Sequence, residues 1–86
     1  MEISIELTFS PLTDGYEPHI INFIKQLRKS KFKVIENPLS TQIYGPYDEV
    51  MSFLTHTIKL SFKELDAAVL HMKMVTTDRS DYAPNF

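Results

Sequence analysis

The sequence predicts an α+β sandwich in which one four-stranded antiparallel sheet carries two helices on a single face, in the chain order βαββαβ. Three observations predict it. Ile3 to Phe9 alternate strictly between apolar and polar residues, the period of a half-buried strand. Two stretches, opened by Pro18 and Pro46, repeat apolar residues at helical spacing. Short clusters of Pro, Gly, Asn and Asp punctuate the periodic segments. In a chain of 86 residues these elements fill a single domain, 1–86, with the ferredoxin-like arrangement as the simplest way to pack them.

In the first strand Ile3, Ile5, Leu7 and Phe9 point one way and Ser4, Glu6 and Thr8 the other. The strand is expected to stop at Ser10-Pro11-Leu12-Thr13-Asp14-Gly15, because proline has no ladder donor and Asp-Gly favours a turn. A helix follows, with Glu17 and Pro18 in its first turn and a stripe of Ile20, Ile24 and Leu27 joined by Ile21 and Phe23. Five cations, Lys25, Arg28, Lys29, Lys31 and Lys33, gather around its end, where they complement the negative end of the helix dipole. Phe32 to Asn37 forms a second strand ended by Pro38, and Thr41 to Tyr44 a third bounded by Gly45-Pro46. Pro46 opens the second helix, which runs to about Phe62 with Val50, Leu54 and Ile58 at four-residue spacing beside Met51, Phe53 and Phe62. After a linker, Lys63 to Asp66, the strand Ala67 to Val75 places Val69, His71, Lys73 and Val75 opposite Ala68, Leu70, Met72 and Met74. The segment 76–86 is polar, carries Pro84 and is expected to be an irregular tail that crosses a neighbouring surface.

Composition excludes several chemistries. The chain is 43% hydrophobic and 23% charged, which is globular composition and too apolar for disorder. A formal charge of -2 gives no field to collect nucleic acid or anionic lipid. No cysteine is present, which removes disulfides, thiolate nucleophiles, iron–sulfur clusters and thiolate zinc sites. No window approaches the ~20 apolar residues of a membrane span and the start has no basic n-region, so a cytoplasmic protein is expected.

The three histidines, His19, His56 and His71, lie on different elements with no metal-ligand spacing and no carboxylate obviously beside them. No metal or other cofactor is expected. Ser40 and Thr41 lack a glycine-lined elbow, and two glycines in the whole chain leave no phosphate-cradling loop. Nothing supplies a base, a nucleophile and an oxyanion site together, so the chain is expected not to be an enzyme.

The sheet face without helices would carry Ser4, Glu6, Thr8, Lys33, Ile35, Gln42, Tyr44, Val69, His71, Lys73 and Val75, a mixture too apolar for a purely solvated surface. Association of copies through this open face is one expectation. The other is a pocket for a small molecule. Phe9, Leu12, Tyr16 and Tyr44 offer flat or apolar walls, Thr8, Ser40 and Thr41 neutral hydrogen-bonding groups, Glu6 an anion, and His71 a further group on the open face. That set suits a flat, nitrogen-rich, cationic heterocycle, since a carboxylate accepts from an exocyclic amine and aromatic faces favour a positive ring.

The stretch Leu39-Ser40-Thr41-Gln42-Ile43-Tyr44-Gly45-Pro46-Tyr47-Asp48-Glu49-Val50-Met51, set after Phe9-Ser10-Pro11-Leu12, resembles the YkoF-like family of thiamine- and hydroxymethylpyrimidine-binding proteins. The similarity runs from Ile3 to about Val75, and its parts are Pro11-Leu12, Ser40-Thr41 and Gly45 with Asp48 to Met51. Pro46 departs from the acidic residue common in the family. The resemblance implies a ferredoxin-like fold, non-catalytic binding of thiamine or its pyrimidine portion, and assembly through sheets into dimers or tetramers. It places Pro11 and Leu12 in the loop near the ligand, and Ser40 and Thr41 in the polar motif lining the pocket. The competing expectation is a structural or regulatory assembly module that binds no small molecule.

Overall fold

The structure, a computed structural model, describes residues 1–86. It has six elements: β1 (Glu2–Pro11), α1 (Glu17–Arg28), β2 (Lys33–Glu36), β3 (Thr41–Pro46), α2 (Tyr47–Lys63) and β4 (Ala68–Thr76). The strands form one antiparallel sheet in the order β2-β3-β1-β4. This is the ferredoxin-like α+β fold that the alternation and the two helical stripes predict. Neither helix is long and apolar enough to cross a membrane.

The core lies between sheet and helices. Ile3, Ile5, Leu7 and Phe9 of β1 and Ile43 of β3 meet Phe23 and Leu27 of α1 and Val50 and Leu54 of α2, all buried. In α2 the fully buried residues are Val50, Leu54, Thr57 and Ser61; Ile58, expected at four-residue spacing with Val50 and Leu54, is half-buried against the core, and Phe62 is 40% exposed with its ring centroid 6.1 Å from that of Phe9. The reason is geometric. A strict four-residue repeat drifts about 40° per step around a helix of 3.6 residues per turn, so over a helix this long it leaves the sheet, whereas steps of four, three and four stay on one face.

β1 runs two residues further than predicted, through Pro11, which pairs with Ala68. Antiparallel pairing explains how proline is accommodated. Leu12 N–H donates to the Ala67 carbonyl at 3.0 Å and Thr77 N–H to Glu2 at 3.0 Å, so even-numbered residues of β1 turn their main-chain groups towards β4. Odd-numbered ones turn towards β3, and β3 pairing stops at Leu7 opposite Thr41. The donor that Pro11 lacks would face a side where no strand remains.

Gly45 is selected for space. A Cβ built there would lie 2.8 Å from Phe32 Cδ1 and 3.0 Å from Val50 Cγ2, while its own φ is negative. Gly45→Ala is expected to cost about 1–3 kcal/mol through overpacking, with part restored when Phe32 is also shortened to Leu. Urea midpoints of the single and double variants check this, and an unchanged midpoint for the single variant would contradict the close packing.

The C-terminal segment stays on its own sheet. Ser4 Oγ donates to the Thr77 carbonyl at 2.8 Å and accepts from Arg79 N–H at 2.8 Å, which leaves Ser4 buried although it belongs to the open face. Thr77 makes the bend with φ 74°, a left-handed conformation costly for a β-branched residue and held here by these bonds.

Candidate functional site

Between the C-terminal half of β1, α1 and the β2–β3 turn lies a cleft of about 160 Å³. Its walls are Leu7, Phe9, Ile20, Phe23 and Ile24, and its rim is Thr8 with Asn37 to Thr41. The turn that closes it follows from local chemistry. Asn37 Oδ1 accepts from the main-chain N–H groups of Leu39 and Ser40, both at 3.0 Å, and Asn37 N–H donates to the Ser40 carbonyl at 3.1 Å. Pro38 sits where its fixed φ suits a turn, and Asn-Pro is a turn initiator. Phe9 forms one wall by packing on Phe23, ring centroids 4.9 Å apart.

The rim continues onto the open face. Ser40 Oγ donates to Glu6 Oε2 at 3.0 Å and accepts from Gln42 Nε2 at 2.7 Å, and Thr8 Oγ1 donates to the Leu39 carbonyl at 3.4 Å. The register sets Glu6 between Gln42 and Lys73, and Thr8 beside His71. Ser40 therefore links the apolar cleft to a carboxylate.

Of the ten residues the sequence nominates, the fold brings Phe9, Thr8, Ser40 and Thr41 to the cleft and Glu6 and His71 to the adjoining open face. Thr41 is buried and contributes from within the packed layer. Tyr44 lies in the far row of the face between Lys33 and Ser4. Partial burial, reinforced by the carboxylates of Asp78 and Glu6, holds its hydroxyl above the ordinary phenol range. Pro11 is buried at the end of β1, Leu12 faces a separate hollow beside His19 and Glu64, and Tyr16 sits exposed before α1. The turn into α1 carries these three away from Ser40.

One expectation is corrected. His19 does have a carboxylate nearby, with Nδ1 4.0 Å from Glu64 Oε2, because the start of α1 meets the end of α2 in space. No group of three or more His, Asp or Glu side chains is placed to hold a metal ion. The walls from α1, with Asn37, Pro38 and Gln42, are site residues that the sequence did not single out. The Asn-Pro signal was present; the meeting of α1 with that turn is tertiary.

Outside the cleft, Arg28 and Glu36 form a two-point ion pair tying α1 to β2, Nη2 to Oε1 at 2.7 Å, and the guanidinium holds the Glu36 carboxyl below the ordinary range. This accounts structurally for one of the five clustered cations.

No protein-family model matches the chain, and no curated protein matches it. Solved structures do. A Streptococcus pneumoniae protein is 25% identical with a TM-score of 0.82, over 91% of this chain and 89% of its own. A Thermotoga maritima protein provisionally assigned to thiamine biosynthesis or salvage is 16% identical with a TM-score of 0.81, over 90% and 85%. A domain of unknown function, DUF77, from Bacillus cereus is 11% identical with a TM-score of 0.73, over 90% and 77%. The likeness is one of fold. At these identities it extends along almost the whole chain without carrying any residue's role.

Proposed function

We propose that this chain is a YkoF-like binding protein for thiamine or its hydroxymethylpyrimidine portion, and that it performs no chemistry on the ligand. The observation that carries the proposal is the cleft joined through Ser40 to Glu6: an apolar slot beside Phe9 and Phe23 with a carboxylate at its rim. Ligand pockets for drug-sized molecules begin at about 300 Å³. At about 160 Å³ this cleft suits one ring. The pyrimidine of thiamine enters, and its permanently charged thiazolium remains at the rim near Glu6. The Thermotoga maritima neighbour's provisional link to thiamine supports the same reading.

Isothermal calorimetry with thiamine and with hydroxymethylpyrimidine tests it. Both are expected to bind, thiamine more tightly at low salt because only it carries the permanent cation. No heat and no thermal shift with either at millimolar concentration would contradict the proposal.

A second reading, assembly of copies through the open face, is favoured by Val69, which is 40% exposed on that face. The C-terminal segment already covers Ser4, so the surface left for a partner is the half around Glu6, His71 and Val69. Val69→Asp is expected to abolish the oligomer in sizing chromatography, and an unchanged elution volume would refute this face as the contact.

A further inference from the structure

Along β1 one residue keeps both a main-chain donor and a main-chain acceptor without a partner strand. The odd-numbered residues of this strand turn their main-chain groups to the β3 side, where Pro11 has no donor to offer. Ile3, Ile5 and Leu7 are matched there by Gly45, Ile43 and Thr41. Phe9 is not. Its opposite position would be Leu39, which lies in the Asn37–Ser40 turn, outside β3. The main-chain bonds of that turn run between Asn37 and Ser40, and none of the hydrogen bonds outside the regular ladders involves the Phe9 amide or carbonyl. Yet Phe9 is only 7% exposed, and an unpaired main-chain pair is costly at such a depth. Phe9, Leu39 and Ser40 all line the cleft, so this unpaired strand edge faces it.

We infer that the Phe9 N–H and C=O are the recognition edge of the cleft, a donor and an acceptor side by side that take a heterocycle bearing a ring nitrogen next to an exocyclic amine. The ligand edge occupies the place that a residue at position 39 would hold in an extended β3. Phe9 N–H donates to the ring nitrogen, and Phe9 C=O accepts from the amine. The ring then lies between the apolar walls of α1 and the Asn37–Ser40 turn. This inference rests on the aminopyrimidine reading above and specifies which atoms read the ring. It also gives a structural reason for β3 to begin as late as Thr41: one more ladder pair would close the edge.

The test is an amide-to-ester replacement at Phe9 in the full-length chain, assembled by chemical ligation, which exchanges the N–H for an oxygen and keeps the side chain. Because this N–H makes no protein hydrogen bond, the thermal midpoint is expected to fall only by what the weaker ester carbonyl of Thr8 costs in its pairing with β4, and clearly less than for an ester at Leu7, which loses an N–H bonded to β3 as well. Binding of hydroxymethylpyrimidine is expected to weaken about tenfold, the scale of one neutral hydrogen bond. The analogue lacking the exocyclic amine should bind the unmodified chain about tenfold more weakly. Amide hydrogen exchange provides an independent check: Phe9 should exchange faster than Leu7 in the free protein and slow on adding ligand. Undiminished binding by the Phe9 ester overturns the inference while leaving the aminopyrimidine reading intact, and a Phe9 amide as protected as Leu7 without ligand overturns the edge itself. Absence of binding to the unmodified chain contradicts the reading beneath both.

Discussion

Glu6→Gln is expected to weaken thiamine binding by about 10- to 100-fold, the worth of a charge-assisted contact of about 1.5–3 kcal/mol. The substitution is selective because glutamine keeps an oxygen that accepts from Ser40 Oγ, so the Ser40–Gln42 chain and the rim of the cleft persist. What disappears is the negative charge. Hydroxymethylpyrimidine, which lacks the permanent cation of the thiazolium, should lose only about twofold, well under 1 kcal/mol. Calorimetry on both ligands measures the difference. Equal losses for the two would show that Glu6 shapes the site and does not act through its charge. Raising the salt should mimic the substitution for thiamine, since an exposed carboxylate is screened.

Leu54→Ala is expected to lower the stability of the fold by about 2–5 kcal/mol, because it removes a side chain from the fully buried junction of α2 with the sheet and leaves a cavity. An 86-residue domain has roughly 4–13 kcal/mol to lose, at about 0.05–0.15 kcal/mol per residue. The thermal midpoint should therefore fall by about 8–40 °C, near 4–8 °C per kcal/mol for a domain of this size. Met at the same position, close in volume, should cost under about 1.5 kcal/mol. A drop for alanine no larger than that for methionine would mean that α2 does not seat on the sheet as described.

These two residues mark the two kinds of information that the sequence carried. The seat of Leu54 was legible because helical periodicity and strand alternation are local signals, and both reported the same buried layer. Periodicity was less informative towards the end of α2, where Thr57 and Ser61 take the most buried positions and Ile58 and Phe62 pack at the flank of the core, because hydrophobicity and helical phase disagree there. Glu6 and Ser40 were legible as chemistry but not as neighbours, since 34 residues separate them and only the β1–β3 register brings them together. Pro11, Leu12 and Tyr16 follow Phe9 closely in sequence, yet the chain turns away after β1. The walls from Ile20, Phe23 and Ile24 looked like ordinary helix core, and most of that surface is. The late start of β3, which frees the edge of Phe9, leaves no compositional trace, because Leu39 and Ser40 would pass as strand residues. The path of the C-terminal segment over Ser4 was equally hidden, for a serine on an alternating strand looks solvated until something is laid upon it.

The most direct test of the account is an amide-resolved NMR titration of the uniformly labelled chain with hydroxymethylpyrimidine. The ligand is expected to shift Thr8, Phe9, Leu39, Ser40 and Thr41 together, with the walls of α1 following and β4 beyond Lys73 unmoved. Shifts confined to the hollow around Leu12 and Glu64, or none up to millimolar ligand, would contradict the assignment of the cleft as the binding site.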